Sequence, residues 1–126
     1  MSATAGKLEV TNTGRPWTDQ ELQDAYSACA ELVVMGRWRK AARLARALMR
    51  KDPVTWRSAI NAGGQLIEAA QGIGRRALIL EAVQLIESAL PDVRESYRPL
   101  ALYNLANGYL ALGQRERGKG PATRPS

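Results

Sequence analysis

The sequence predicts an all-α fold, an antiparallel helix-hairpin stack of about five helices, and three observations carry that reading. Apolar residues recur three and four apart in five stretches between Pro16 and Gln114, the period of a helix with one buried side. Glycine and proline punctuate these stretches at a repeating distance: Gly36, Gly74 and Gly113 stand 38 and 39 apart, and Pro53 and Pro91 again 38. The connections are only a few residues long, which obliges neighbouring helices to run antiparallel.

Residues 1–15 hold Ser, Thr, Gly and Asn with few large apolar residues and read as a flexible leader. Thr18 followed three residues later by Glu21 is a capping box, and Trp17 and Leu22 are placed as a hydrophobic staple, so the first helix starts near Asp19. Its stripe is Leu22, Ala25, Tyr26, Cys29, Leu32 and Val33, and Gly36 closes it. The second helix runs from Trp38 to about Lys51 on Ala41, Leu44, Ala45 and Leu48, stopped by Asp52-Pro53.

A third helix is expected from about Trp56 to Gln71, with Ala59, Ala62, Gly63, Leu66, Ile67 and Ala70 facing inward. Gly63-Gly64 in its interior costs about 0.8–1 kcal/mol per glycine relative to alanine, so the pair is either a close-packing point or a soft spot. The turn Gly72-Ile73-Gly74 leads to a fourth helix, Arg75 to Leu90, with the stripe Leu78, Ala82, Leu85, Ile86 and Ala89, ended by Pro91. Asp92 to Arg98 either begins the fifth helix or forms a short loop before it. That helix, Pro99 to Gln114, carries Leu102, Leu105, Tyr109 and Leu112 on one side, with small Ala106 and Gly108 between them, and Gly113 is expected to close it. Residues 114–126, QRERGKGPATRPS, have no apolar stripe and read as a disordered basic Gly/Pro tail.

This pattern resembles the tetratricopeptide repeat family over about two and a half repeats. The resemblance is strongest from Gly36 to Pro53, where GRWRKA has a glycine, an aromatic two residues on and an alanine three further. It is strong again from Leu102 to Gly113, where Leu102, Leu105, Ala106, Tyr109 and Gly113 stand in the family's order and spacing. Leu22 to Thr55 spans the family's 34 residues, whereas the middle unit departs from it, with a longer period and Ile67 where a small residue is usual. The resemblance implies a right-handed α-solenoid that binds proteins. It also implies an incomplete stack, because no second helix follows the fifth, so residues 16–113 are expected to belong to something larger. The uncapped fifth helix would be covered by a second copy of the chain, by a partner protein or by further repeats.

Length and composition suit one ordinary globular domain, 126 residues with 45% hydrophobic and 24% charged. The formal charge is +6, and 14 of the 18 basic residues are arginines. A single cysteine, Cys29, allows no internal disulfide, and no apolar run approaches a membrane span, so the chain reads as cytoplasmic with no membrane partner. Cys29 lies within a helical stripe and reads as a small buried hydrophobe. With no histidine, no cysteine pair and no acidic cluster at metal-ligand spacing, the chain is not expected to be an enzyme or to hold a cofactor or metal.

Binding is the expected function, in two forms. In the family, first helices of successive repeats line a concave groove for a peptide or partner helix. Carried onto matching positions, the groove residues are Tyr26, Ala30 and Val33 in the first unit and Tyr103, Asn107 and Leu110 in the third. Asn107 could bond the backbone of an extended ligand. The subgroup that clamps the C-terminal carboxylate of chaperones has a lysine where Tyr26 and Tyr103 stand, which disfavours that ligand. The second form is electrostatic. Arg39, Arg43, Arg46 and Arg50, spaced four, three and four, make a basic ridge down the second helix. It is read first as a solvated outer face, then as a surface for an acidic protein, and least as a nucleic-acid contact.

Overall fold

The computed structural model describes residues 15–118, with side chains described through Gly113, and these residues form five α-helices and no strand. They are α1 (Asp19–Val34), α2 (Trp38–Lys51), α3 (Thr55–Ile73), α4 (Arg76–Ala89) and α5 (Arg98–Gly118). Two single 3-10 turns, Leu90–Asp92 and Glu95–Tyr97, join α4 to α5, so the segment before the fifth helix is a loop. The expected leader and most of the expected tail fall on residues 1–14 and 119–126, outside the described residues.

The helix starts and stops follow local chemistry. Thr18 caps α1 through the predicted box: the Glu21 amide donates to Thr18 Oγ1 at 3.1 Å and the Thr18 amide to Glu21 Oε1 at 2.9 Å. Arg15 joins this cap as a fork on the Glu21 carboxylate, at 2.9 and 2.6 Å, and its carbonyl accepts from Lys51 at 2.8 Å. Arg15, expected in the leader, is thus tied to both α1 and α2. Gly36 at φ 74° and Gly74 at φ 85° supply the left-handed residues that end α1 and α3. Gly113 does not play this part. It lies inside α5, which continues through Gln114 to Gly118, residues expected to be tail.

Consecutive helices pack against one another, and α3 also meets both α1 and α5. The core runs continuously through the stack. Leu44, Leu48, Ile60, Leu66, Ile67, Ile79 and Ile86 are fully buried, each contributing about 1.5–3 kcal/mol by leaving water. All the predicted inward positions of α2 and α3 are buried. On α4 the buried line is Ile79, Ala82, Val83 and Ile86, rotated from the predicted stripe, and Leu85 is exposed.

The two glycines inside α3 are close-packing points. A Cβ on Gly63 would lie 3.2 Å from the Ile86 side chain, and one on Gly64 would lie 2.6 Å from the amide nitrogen of Asn104. Each missing side chain lets a neighbouring helix approach. Gly72, expected in a turn, is helical and lies under the Trp38 ring, where an added Cβ would come within 2.2 Å of it.

The orientation of α5 differs most from expectation. Its buried residues are Ala101, Leu105, Gly108 and Ala111, while Leu102 and Tyr109 are about half exposed, at 51% and 50%. A Cβ on Gly108 would lie 2.4 Å from Val83 and 3.2 Å from Ile67. Small Ala101, Gly108 and Ala111 therefore face the stack while Ala106 is exposed, and of the predicted stripe Leu105 is buried and Leu112 half-buried. The start of α5 is held by Tyr97, whose ring meets Trp56 edge-on at 5.0 Å, and by Val93, which is buried in the connection.

Candidate binding groove

The surface shared by α1, α3 and α5 is polar along α3, whose apolar residues turn to the core. Two adjoining depressions lie on it, of about 260 and 430 Å³, and both are lined by Tyr26 and Asn61. The first continues along Gly64, Gln65 and Glu68 of α3 to Leu100 and Asn104 of α5. The second extends over Asp19, Gln23 and Ser27 of α1 to Arg57 of α3. Together they make a groove across three helices, rich in side-chain amides.

A buried carboxylate fixes one wall. Asp52 is 2% exposed and accepts four hydrogen bonds. The Tyr26 hydroxyl donates to Oδ2 at 2.7 Å, Arg57 donates from Nε to Oδ2 at 2.9 Å and from Nη2 to Oδ1 at 2.8 Å, and the Val54 amide donates to Oδ1 at 2.9 Å. Burial pushes this carboxyl up, but the bonds from Arg57, Tyr26 and Val54 outweigh it and hold Asp52 below the usual carboxylate range. Tyr26 is raised in turn, by burial first and then by its bond to Asp52, so its hydroxyl stays protonated. Arg57 is thereby charge-compensated, and the carboxylates that remain on the groove are Asp19 and Glu68.

The other wall is set by Asn104, whose Nδ2 donates to the Ile60 carbonyl at 3.0 Å. That carbonyl lies one helical turn before Gly64, and the absence of a Gly64 side chain leaves room for the amide to reach it.

The predicted groove residues fare unequally. Tyr26 lines the groove with its hydroxyl committed to Asp52, and Ala30 is half-buried. Val33 is buried in the core and offers nothing to a ligand. Tyr103 and Leu110, 63% and 55% exposed, and half-buried Asn107 are not among the groove-lining residues; Leu100 and Asn104, three residues before Tyr103 and Asn107, line it instead. The residues missed lie mainly on α3. Arg57, Asn61, Gly64 or Gln65, and Glu68 recur at helical spacing opposite its apolar stripe, a polar line present in the sequence.

The predicted ridge residues Arg39, Arg43, Arg46 and Arg50 are all exposed on α2, away from the groove. Arg46 pairs with Glu81 of α4 at 3.3 Å, and Arg50 donates to the Arg46 carbonyl at 3.3 Å. Cys29 is buried, its thiol donating to the Ala41 carbonyl at 3.4 Å, and burial pushes it up to about 12. Among the described residues no group of three or more His, Cys, Asp or Glu side chains could hold a metal ion, and no helix is long and apolar enough to cross a membrane. Compared with known proteins, the chain matches no family model, no curated protein and no solved structure.

Proposed function

We propose that this protein is a non-catalytic protein-interaction module of the tetratricopeptide repeat type, which holds an extended peptide in the groove across α1, α3 and α5. The observation that carries the reading is the line of side-chain amides, Gln23, Asn61, Gln65 and Asn104, along one concave surface. An amide both donates and accepts, so a row of them can bond the free backbone of an extended chain without demanding one sequence. Asp19 and Glu68 add negative charge and favour a peptide that carries basic side chains. The solenoid reading is supported by the 38- and 39-residue punctuation and by the left-handed glycines that end α1 and α3.

Selection from a phage-displayed library of random linear peptides tests this. Enriched peptides should carry lysine or arginine and should bind N61A/Q65A at least about tenfold more weakly, the equivalent of one lost hydrogen bond or two. Failure to enrich any sequence, or enrichment indifferent to N61A/Q65A, would overturn the reading. A second reading, self-association, has its own support in the exposed apolar residues of α5.

A further inference from the structure

We infer that two copies of the chain pair through the outer face of α5, antiparallel and two-fold symmetric, with Ala106 of one copy against Ala106 of the other. The inference rests on the self-association reading and gives it a register. It is independent of the peptide groove.

The face is defined by what α5 does not bury. Ala106 is exposed, and Leu102, Tyr103, Tyr109 and Leu110 around it are 51%, 63%, 50% and 55% exposed. At 3.6 residues per turn these four fall within about 60° of Ala106, on the side opposite Ala101, Gly108 and Ala111. They lie on the side of α5 opposite its small buried residues.

The order of these residues identifies the occupant. Outward from Ala106 in either direction, the third residue is tyrosine and the fourth is leucine: Tyr103 and Leu102 one way, Tyr109 and Leu110 the other. In a two-fold antiparallel helix pair centred on one residue, the position n before it meets the position n after it in the partner. Centring on Ala106 therefore sets Tyr103 against Tyr109 and Leu102 against Leu110, at both ends alike. A face that reads the same in both directions is complementary to itself. The small side chain at the centre allows the helix axes to approach to about 8 Å, the close end of the usual range.

The face also lacks the charge that would oppose a symmetric pair. The chain carries a formal charge of +6, so two copies repel, and a charge near the two-fold axis would face its own copy. From Pro99 to Gln114 there is no charged residue, in a chain that is 24% charged. Tyr109 already donates its hydroxyl to Glu87, so its ring can be covered without stranding a polar group.

Sedimentation equilibrium and cysteine trapping, in a C29A background, test the register. The wild-type chain should sediment at twice 13.8 kDa when concentrated and dissociate on dilution. A106E should stay at 13.8 kDa with unchanged helix content. Under mild oxidation A106C should cross-link to itself, and L102C should cross-link to L110C about tenfold faster than to itself, because a disulfide needs Cα atoms within about 7 Å. A wild-type monomer at every concentration would overturn the inference. So would a dimer indifferent to A106E, or L102C pairing best with itself, the mark of a parallel pair. None of these outcomes touches the groove, since peptide binding is read on N61A/Q65A.

Discussion

Asn104 occupies the space that a side chain on Gly64 would need: a Cβ there would lie 2.6 Å from its Nδ2, which donates to the Ile60 carbonyl at 3.0 Å. The glycine and the asparagine thus work as a pair that docks α5 on α3. G64A alone should change stability little, because a helix-propensity gain of about 1 kcal/mol is offset by a lost hydrogen bond of about the same size. In an N104A background the clash disappears, so the same G64A substitution should stabilise by about 1 kcal/mol. A double-mutant cycle by urea unfolding measures this; equal effects of G64A in both backgrounds would refute the pairing.

Gly72 meets a less yielding neighbour. Its added Cβ would fall 2.2 to 2.4 Å from three atoms of the Trp38 ring, so the ring would have to leave its packed position. G72A should therefore destabilise by about 1–3 kcal/mol despite the better helix propensity of alanine. A thermal melt at or above the wild-type midpoint would contradict this.

Removing the Asp52 carboxylate leaves Tyr26, Arg57 and the Val54 amide without their acceptor. Arg57 is about one-third exposed and can recover water, which moderates the loss. D52A should cost about 2–4 kcal/mol in denaturant unfolding and should weaken any ligand that touches Tyr26 or Arg57. A loss below about 1 kcal/mol, the worth of one neutral hydrogen bond, would mean that the network is not cooperative.

Acid should destabilise the fold through two carboxylates. Glu21 is lowered from the ordinary 4.5 to about 2, first by its bond with Arg15 and then by the Thr18 amide, and Asp52 is also lowered. A depressed value means that the folded state favours the ionised form. The stabilisation is whole above the ordinary carboxylate range; the part from Glu21 is lost as pH falls from about 4.5 towards about 2, and the part from Asp52 as pH falls below the ordinary carboxylate range. Unfolding curves across that window should show declining stability, less steeply in E21Q, and a flat profile would refute the assignment.

Alkali should act through the opposite sign. Burial raises Cys29 from 9.0 to about 12, and Tyr26 is raised by burial and by Asp52. Both groups are held neutral by the fold; the contribution of Cys29 is complete below pH 9 and fades as pH rises towards 12, and that of Tyr26 fades only above the ordinary tyrosine range. C29A should flatten part of that decline. A disulfide reagent should modify Cys29 in the native chain no faster than the chain unfolds.

The helices, and their limits where a cap or a left-handed glycine marks them, were legible because these signals are local. Thr18 and Glu21 cap α1 from three residues apart, Gly36 and Gly74 mark left-handed turns, and the apolar period of α2 places Ala41, Leu44, Ala45 and Leu48 in the core. What sequence could not decide is which side of α5 is buried. That helix is apolar nearly all round: its large residues Leu100, Leu102, Leu105, Tyr109, Leu110 and Leu112 spread over about 240° and small Ala101, Gly108 and Ala111 fill the rest, so its large apolar residues do not single out the buried side. Tertiary packing selected the side where Gly108 leaves room for Val83 and Ile67, and it moved the α5 contribution to the groove from Tyr103 and Asn107 to Leu100 and Asn104. The roles of Gly63, Gly64 and Gly72 were hidden for the same reason. A glycine inside a helix looks like a local cost until the neighbour that fills its empty space is known, and that neighbour lies 23 to 40 residues away in the chain.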